Sequence, residues 1–415
     1  MTEEVDRHVL RKYDIVQKLG KGAYGIVWKA IDKRSNDKVA LKKIFDAFQN
    51  ATDAQRTFRE VVFLQQMDKH ENIVQLQNVI KADNDRDLYL IFEYMDTDLH
   101  AVIRANILEP VHKQYIMYQS FKALMYMHSA QLVHRDMKPS NLLLNGECLM
   151  KVADFGLARS LTKSNQLDDI EHGAPILTDY VATRWYRAPE ILLGSTKYGK
   201  AVDLWSLGCI FGEMLGARPV FQGSSTLNQL EKIVEVVGRP TRDEVESMKS
   251  PFAATMLDNI KMNPHTRPTR WADMYPHADM NCIDLLGKLM QWDPSKRITA
   301  LEGMQHPACR QFLTTDPFCR EPLRRTAERP VTAPFDDNDK KSTQVYREKL
   351  YEEIYKGQSS QQQQAMMGGG GGRQGDKGGL MAKQGGYGAN ARPMSGGRQV
   401  SGQRPGSGRQ PQMRW

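Results

Sequence analysis

Two short polar stretches constrain the fold of this chain more strongly than any other feature of its sequence. Residues 134–141 read His-Arg-Asp-Met-Lys-Pro-Ser-Asn, and residues 154–156 read Asp-Phe-Gly. The apolar segments 142–144 and 149–152 lie between them and predict a small β-hairpin. Because a hairpin returns the chain to its starting point, we expect the two stretches to form neighbouring loops, although their aspartates are 18 positions apart.

The oxygen atoms of Asp136, Asn141 and Asp154 are those that phosphoryl transfer from ATP requires. We expect Asp136 to orient the acceptor hydroxyl and accept its proton, and Lys138 to reach the transferring phosphate. Asp154 is expected to bind Mg²⁺, with Asn141 at the second metal position. This is the established pattern of protein kinases, which the sequence matches. A solvated polar loop is the alternative, but six fixed residues within eight positions arise by chance at about one position in 10⁸.

A glycine-rich loop is predicted near the N-terminus. Gly20, Gly22 and Gly25 occupy the first, third and sixth positions of the segment that runs through Lys21 to Val27. Glycine lets the backbone approach phosphates closely, so these residues are candidates for binding ATP. The dinucleotide-binding fingerprint has the same spacing but opens a helix. Here a strand follows the loop, and this favours the kinase interpretation.

A lysine and a glutamate complete the predicted nucleotide site. Ala40 and Lys42 fall on the third predicted strand, where the lysine would reach the α- and β-phosphates. Glu60, on the helix that follows, is the expected partner of Lys42. Lys43 is expected to be an exposed lysine on the same strand.

The hinge between two lobes is predicted at residues 93–95. Backbone groups of Glu93 and Met95 would bind the adenine there, after a strand that ends near Phe92. Phe92 is expected to lie at the back of the adenine pocket.

The order of strands and helices predicts an α+β chain with a small β-rich part and a larger helical part, and the resemblance of its motifs to those of eukaryotic protein kinases implies the bilobal fold of that family. The predicted strands are 13–19, 26–31, 38–44, 73–81 and 87–94. A helix with a capping box at Thr52 and Gln55 follows the third strand. Later helices are predicted at 114–129, 202–215, 227–237, 280–290 and 345–355. The predicted divisions are a small lobe with the hinge (12–95), a large lobe (96–312), a C-terminal extension packed on them (313–356) and a disordered Gly/Gln/Arg-rich tail (357–415).

The charge and the cysteine content of the chain limit its possible partners and its location. The net charge of the chain is +8, but eight Lys/Arg and one acid lie after residue 356, so the tail carries +7 and the remainder +1. Nucleic-acid binding is therefore not expected, except weakly through the tail. Five cysteines without a paired spacing indicate reduced thiols, and no signal peptide or membrane span is predicted. These features favour a cytoplasmic or nuclear protein.

Over residues 12–312 the chain resembles the eukaryotic protein kinases, and Lys-Pro-Ser after Asp136 is typical of the Ser/Thr class. Thr178-Asp179-Tyr180, before Ala-Pro-Glu at 188–190, is similar to the phosphorylation lip of mitogen-activated protein kinases. Residues 52–60, the Tyr-Arg-x-x-Leu-Tyr at 346–351 and the tail most resemble the atypical extracellular signal-regulated kinases.

The resemblance implies a phosphorylation switch. Phosphate on Thr178 would be bound by three arginines, Arg59, Arg135 and Arg159. Phosphate on Tyr180 would meet Arg184 and Arg187 and shape a pocket for the proline that follows the target Ser or Thr. In the atypical relatives the lip is associated with autophosphorylation, so this source and an upstream kinase both remain open.

The resemblance also bears on partners. Phe335-Asp336-Asp337-Asn338-Asp339 is similar to an acidic docking site for basic–hydrophobic peptides, and a solvated acidic loop is the alternative. Two rival functions differ in class. One is a relative of the cyclin-dependent kinases, disfavoured by Tyr180. The other is a non-enzymatic scaffold or RNA-tethered protein, disfavoured by the complete catalytic set.

Overall fold

The structure, a computed structural model, describes residues 3–22, 25–67, 70–162, 184–195, 198–260, 269–315, 326–327, 329–335 and 339–354. The chain divides into two units, the first ending at Glu353 and the second running from Ile354 to Arg414. All features below belong to the first unit.

The small lobe is built on one antiparallel sheet. Its strands are β1 (Tyr13–Gly22), β2 (Gly25–Asp32), β3 (Lys38–Ile44), β4 (Leu76–Lys81) and β5 (Leu88–Glu93), in the spatial order β1–β2–β3–β5–β4. Helix α1 (Arg7–Leu10) precedes the sheet, and helix α2 (Ala51–Gln66) separates β3 from β4. Strand β4 begins later than predicted, because Ile73 pairs with Val152 only as an isolated bridge.

Helix α2 begins one residue after Asn50, and not with the predicted capping box. The Asn50 side chain accepts hydrogen bonds from the backbone N–H groups of Thr52 and Asp53, which satisfies two donors of the first turn. Thr52 is already inside the helix, and its hydroxyl accepts a hydrogen bond from Lys340. The prediction of Thr52 and Gln55 as a capping box was wrong because Asn50, with an extended backbone, caps first.

The sheet has two apolar faces, and Lys43 lies on the outer one. Successive side chains of a strand point to opposite faces, so Lys42 and Lys43 are separated by the sheet. The outer face is covered by the N-terminal segment, and Val9 is fully buried against it. Only 1% of Lys43 is exposed; its ammonium group donates to Glu4 O (2.9 Å) and pairs with Asp87 (3.4 Å). The expectation of an exposed Lys43 was therefore wrong.

The large lobe is mostly helical. Its strands are β6 (Thr97–Asp98), β7 (Leu132–Val133), β8 (Leu142–Leu144), β9 (Met150–Val152) and β10 (Arg159–Ser160). Its longer helices are α3 (Leu99–Ala105), α4 (Pro110–Ser129), α6 (Ala201–Gly216), α7 (Thr226–Val237) and α11 (Met280–Leu289). The shorter helices are α5 (Pro189–Leu192), α8 (Arg242–Ser247), α9 (Ala253–Asp258), α10 (Trp271–Met274), α12 (Ala300–Gln305) and α13 (Arg310–Thr315).

Helices α4 and α6 form the centre of the large lobe. Helix α6 is buried continuously from Val202 to Met214. Helix α12 approaches α4 so closely that a Cβ atom at Gly303 would lie 2.4 Å from the ring of Phe121. Four predicted helices correspond to α4, α6, α7 and α11, with ends that differ by up to four residues. The short helices were not predicted, because they are shorter than the apolar period needs.

A segment near the C-terminus packs against α2. Helix α14 begins at residue 343, close to the predicted 345. Phe58 of α2 contacts Phe335 and Tyr346, each at a ring-centroid distance of 5.5 Å. At the end of α2, Gln66 exchanges two hydrogen bonds with the backbone of Thr332. The extension thus contacts the helix in its middle and at its end.

Within the described part of the chain, no helix has both the length and the apolar character that a membrane span requires. Cys148, Cys209, Cys282 and Cys309 all carry free thiols, and Cys319 lies outside the described residues.

The substitution Lys43→Met is expected to lower the free energy of unfolding by about 3–5 kcal/mol, because Asp87 loses its buried counter-ion. Thermal unfolding of the purified protein measures this. Lys38→Met is the matched control, since Lys38 is exposed on the same strand. Equal unfolding midpoints for the two variants would contradict a structural role for Lys43.

Candidate active site

The two polar stretches are neighbouring loops, as expected from the hairpin between them. Strands β8 and β9 pair antiparallel, with Leu142 opposite Val152. Gln119 of α4 fixes this hairpin: its side-chain oxygen accepts from Met150 N (2.8 Å) and its amide donates to Cys148 O (2.9 Å). A buried glutamine amide that bonds the backbone of β9 and of the turn before it holds the hairpin, and hence both loops, against the large lobe.

Asp203 of α6 holds the backbone of the first loop. It is fully buried and accepts from the backbone N–H groups of His134 (3.0 Å) and Arg135 (2.8 Å), and it contacts His128 Nε2 (3.0 Å). Burial alone raises the pKa of Asp203, but His128, His134 and the Arg135 N–H group outweigh it, and the pKa falls below its usual value. Arg135 has φ +68°, a left-handed conformation that is costly for a side chain and is compensated by these bonds.

The first loop presents its carboxylate with two partners. Lys138 Nζ lies 2.7 Å from Asp136 Oδ2. The Asn141 amide donates to the Asp136 carbonyl oxygen (2.8 Å) and to its carboxylate (3.2 Å). The three side chains predicted from the eight-residue motif are therefore in direct contact, and Asn141 holds the direction of the Asp136 carboxylate.

Lys42 and Glu60 form an ion pair between β3 and α2. Lys42 Nζ lies 2.7 and 2.9 Å from the two carboxylate oxygens of Glu60, a bidentate contact. Val27 of β2 is directly opposite Lys42, so the two share the inner face of the sheet. Only 6% of the Glu60 side chain is exposed. The pair therefore links the sheet to the helix.

Asp154 is paired with an arginine of α2 that was not among the predicted site residues. Arg56 Nη2, four residues before Glu60 on α2, lies 2.8 Å from Asp154 Oδ2. Burial alone raises the pKa of Asp154, but the cations Arg56, Lys42 and Lys138 outweigh it and hold the pKa well below its usual value. Asp154 is thus ionised at neutral pH.

In the predicted glycine-rich loop, the glycines differ in the space around them, and the Lys21 side chain points away from the cleft. A Cβ atom at Gly22 would meet nothing within 4 Å, whereas one at Gly25 would lie 2.0 Å from Lys43 O. The Lys21 side chain pairs with Glu3 (2.8 Å), so its ammonium group is held away from the cleft. Gly20 is half-buried in β1.

At the hinge, the Glu93 carboxylate accepts from Gln75 N (2.7 Å) and pairs with Lys151 (3.0 Å). Ala40 lies opposite Phe92 on β5, beside Lys42 on the inner face. Met95 is buried. The structure therefore brings the predicted hinge and the Lys42 face together along one side of the sheet.

The side chains present fit ATP and Mg²⁺. Asp136, Asn141 and Asp154 offer carboxylate and amide oxygens, the ligands that Mg²⁺ prefers. The open space at Gly22 leaves backbone accessible to a phosphate, and Lys42 supplies a cation oriented by Glu60.

The amino-acid sequence matches the protein kinase domain family over residues 13–309. Extracellular signal-regulated kinase 2 of Dictyostelium discoideum is 60% identical over 355 residues, which cover 86% of this chain and 93% of that protein. This chain is a mitogen-activated protein kinase. Mitogen-activated protein kinase 15 of Xenopus laevis is 51% identical over 354 residues, which cover 85% of this chain but 58% of that protein. Extracellular signal-regulated kinase 7 of Drosophila melanogaster is 45% identical over 356 residues, covering 85% of this chain and 38% of that protein.

The comparisons confirm the predicted family, the bilobal fold and the enzyme class. The protein is a Ser/Thr protein kinase of signalling, and a protein kinase domain uses ATP. A non-enzymatic scaffold is thereby ruled out as its sole function.

The three arginines predicted to bind a phosphate on Thr178 belong to different elements. Arg59 of α2 is buried, next to Glu60. The Arg135 guanidinium lies over the ring of Tyr198, 5.0 Å from its centroid, and donates to Leu157 O (3.3 Å). Arg159, the third, lies in β10, which pairs with β7.

The two arginines predicted to meet a phosphate on Tyr180, Arg184 and Arg187, have different neighbours. Arg184 donates to Ser224 O (2.9 Å), whereas Arg187 lines a pocket together with Arg135 and Asp136. Thr178 and Tyr180 lie outside the described residues. Asp336 and Asp337 also lie outside them, and the Asp339 carboxylate pairs with Lys341.

Of the missed residues, Arg56 was the one that the sequence could have indicated. It lies four residues before Glu60, so both project from one face of α2. Gln119 and Lys151 depend on contacts across long stretches of sequence, which a local pattern does not show.

The substitution Arg56→Gln is expected to raise the affinity of the kinase for a divalent cation about tenfold, or about 1.4 kcal/mol, because the guanidinium group no longer competes for Asp154. Titration of Mn²⁺ into the kinase with a non-hydrolysable ATP analogue, followed by electron paramagnetic resonance of free Mn²⁺, measures this. Arg56→Lys keeps the positive charge and is the control. Equal Mn²⁺ affinity in all three proteins would show that Arg56 does not oppose the metal.

Proposed function

We propose that this kinase transfers the γ-phosphate of ATP to Ser or Thr residues followed by proline in protein substrates, and that phosphorylation of Thr178 and Tyr180 activates it. The observation that carries the catalytic part is the contact of Asp136 with Lys138 and Asn141 beside the Asp154 loop. Each member of this set has its orientation fixed by a second group.

The roles follow from position and charge. Asp136, directed by Asn141, accepts the proton of the acceptor hydroxyl, and Lys138 neutralises negative charge on the transferring group. Lys42, held by Glu60, binds the α- and β-phosphates. Asp154 and Asn141 would hold Mg²⁺, which would neutralise phosphate charge. The backbone of Gly20, Lys21, Gly22 and Gly25 covers the phosphates, and backbone groups at Glu93 and Met95 bind the adenine.

The preference for proline is supported by the pocket beside Asp136. Besides Arg135 and Arg187 it is lined by the side chains of Tyr186, Ile191 and Val202. A proline ring suits such a pocket because it is apolar and carries no backbone N–H group that would need an acceptor.

A Ser-Pro peptide is expected to be phosphorylated with at least about tenfold higher kcat/KM than the same peptide with Ser-Ala, a difference of about 1.4 kcal/mol in transition-state binding. Transfer of labelled phosphate with ATP and Mg²⁺ measures this, without added cyclin. Asp136→Asn is expected to lower kcat by about two to four orders of magnitude for both peptides. Equal rates for the two peptides would remove the proline preference but leave the kinase activity standing.

Activation by the lip rests on the arginines described above. A phosphate adds nearly two negative charges and binds arginine through charge-assisted hydrogen bonds. Arg135 belongs to the catalytic loop and Arg59 to the helix that carries Glu60, so a phosphate bound by both would couple the lip to the two parts of the site.

The double substitution Thr178→Ala with Tyr180→Phe is expected to lower kcat/KM for a Ser-Pro peptide by about two orders of magnitude or more, because no phosphate can order the lip. Steady-state kinetics measure this, with the double variant and the unaltered protein expressed and treated with ATP in the same way. Full activity in the double variant would reject the lip as the switch.

The source of the lip phosphate is tested separately. If the kinase phosphorylates itself, protein from bacteria without an upstream kinase carries phosphate on Tyr180, and the Asp136→Asn protein does not. Phosphate on both proteins, or on neither, would favour another source.

We propose cytoplasmic or nuclear residence, the docking of basic–hydrophobic peptides near Asp336, Asp337 and Asp339, and the division of the chain at residues 95, 312 and 356. Each rests on the sequence and on the family resemblance.

A further inference from the structure

The N-terminal segment reaches the glycine-rich hairpin through one carboxylate. Glu3 Oε2 lies 2.9 Å from Lys18 Nζ, and Glu3 Oε1 lies 2.8 Å from Lys21 Nζ. The two lysines hold the pKa of Glu3 at about 2, so the carboxylate is ionised throughout the physiological range. Both lysines belong to β1, whose end carries the loop.

A β-bulge places the two lysines on the same face of the sheet. Residues three apart in a regular strand point to opposite faces, but the register of β1 and β2 shifts between Lys18 and Gly20. Consequently Lys18 lies opposite Trp28 and Lys21 lies opposite Ile26. Trp28 and Ile26 belong to the outer apolar cluster, so both lysines lie on the outer face, away from Lys42.

The residues that follow Glu3 are hydrogen-bonded to the small lobe. The carbonyl oxygen of Glu4 accepts from buried Lys43 (2.9 Å). Asp6 accepts from Tyr89 Oη (3.1 Å) and from Asp83 N (2.7 Å). The Glu3 carboxylate, held by these neighbours, therefore bonds one lysine on each side of the bulge, where the strand bends.

We propose that Glu3 is a positioning residue for the nucleotide: it bridges the bulge in β1 and so holds the glycine-rich loop over the phosphates. The inference rests on the proposed role of this loop. Any bending of β1 at the bulge would change the spacing of Lys18 and Lys21. One carboxylate bonded to both resists this change. Because Glu3 lies on the outer face, it acts through the backbone of the loop and does not compete with phosphate for a cation.

The test is the release of a fluorescent ADP, carrying the methylanthraniloyl group, from the full-length kinase in stopped flow. Glu3→Gln is expected to release it about threefold faster, the effect of two exposed ion pairs. The KM for ATP should rise by a similar factor while kcat does not fall. About 0.5 M NaCl should remove the difference from the unaltered protein, because it screens exposed pairs.

Three controls make the outcome specific. Glu4→Gln removes a neighbouring carboxylate but leaves the Glu4 carbonyl that holds Lys43, and it should release the nucleotide at the original rate. Glu3→Asp should restore part of the slow release. In a protein with Lys18→Gln and Lys21→Gln, the further change Glu3→Gln should have no effect.

Equal release rates for Glu3→Gln and Glu4→Gln, or a Glu3 effect that persists without the two lysines, would overturn the proposal. A failure of the proposed function looks different, since the unaltered protein would then bind no fluorescent ADP at all.

Discussion

Most of the site depends on the position of one helix, α2. Glu60 ties it to Lys42 on the sheet, and Arg56, one turn earlier, ties it to Asp154 in the large lobe. Phe58, on the opposite side, packs against Phe335 and Tyr346 of the C-terminal segment. A small rotation of the helix would therefore change the Lys42 pair, the Asp154 pair and the C-terminal contact together. Interactions that share one rigid element are coupled, and they respond as a unit.

The charged groups of the site neutralise one another within the protein. Lys138 pairs with Asp136, Arg56 with Asp154 and Lys42 with Glu60. This arrangement limits the cost of keeping so many charges partly away from water. It also means that phosphates and metal enter a site whose polar groups already have partners, so binding exchanges one set of ion pairs for another.

How much of the fold and of the site was predictable depends on how far apart in sequence the interacting residues lie. The strands and the long helices follow from local periodicity, and the loops that carry Asp136 and Asp154 follow from the hairpin between them. Lys43 was misplaced because alternation shows which face a residue occupies, but not whether another segment covers that face. Arg56 was missed because the sequence shows that it shares a face of α2 with Glu60, but not which carboxylate of the large lobe it meets. The short helices of the large lobe depend on tertiary packing and leave little trace in the local pattern.

Gly25 shows that one motif can serve two unrelated requirements. Any side chain at this position would collide with the carbonyl of Lys43 on the adjacent strand, whether or not a nucleotide is present. The third glycine of the loop is therefore demanded by the close approach of two strands, and a chain that had lost nucleotide binding would still need it. In a protein of this architecture, the third glycine is evidence for the sheet, whereas evidence for catalysis must come from the charged residues that the sheet does not need.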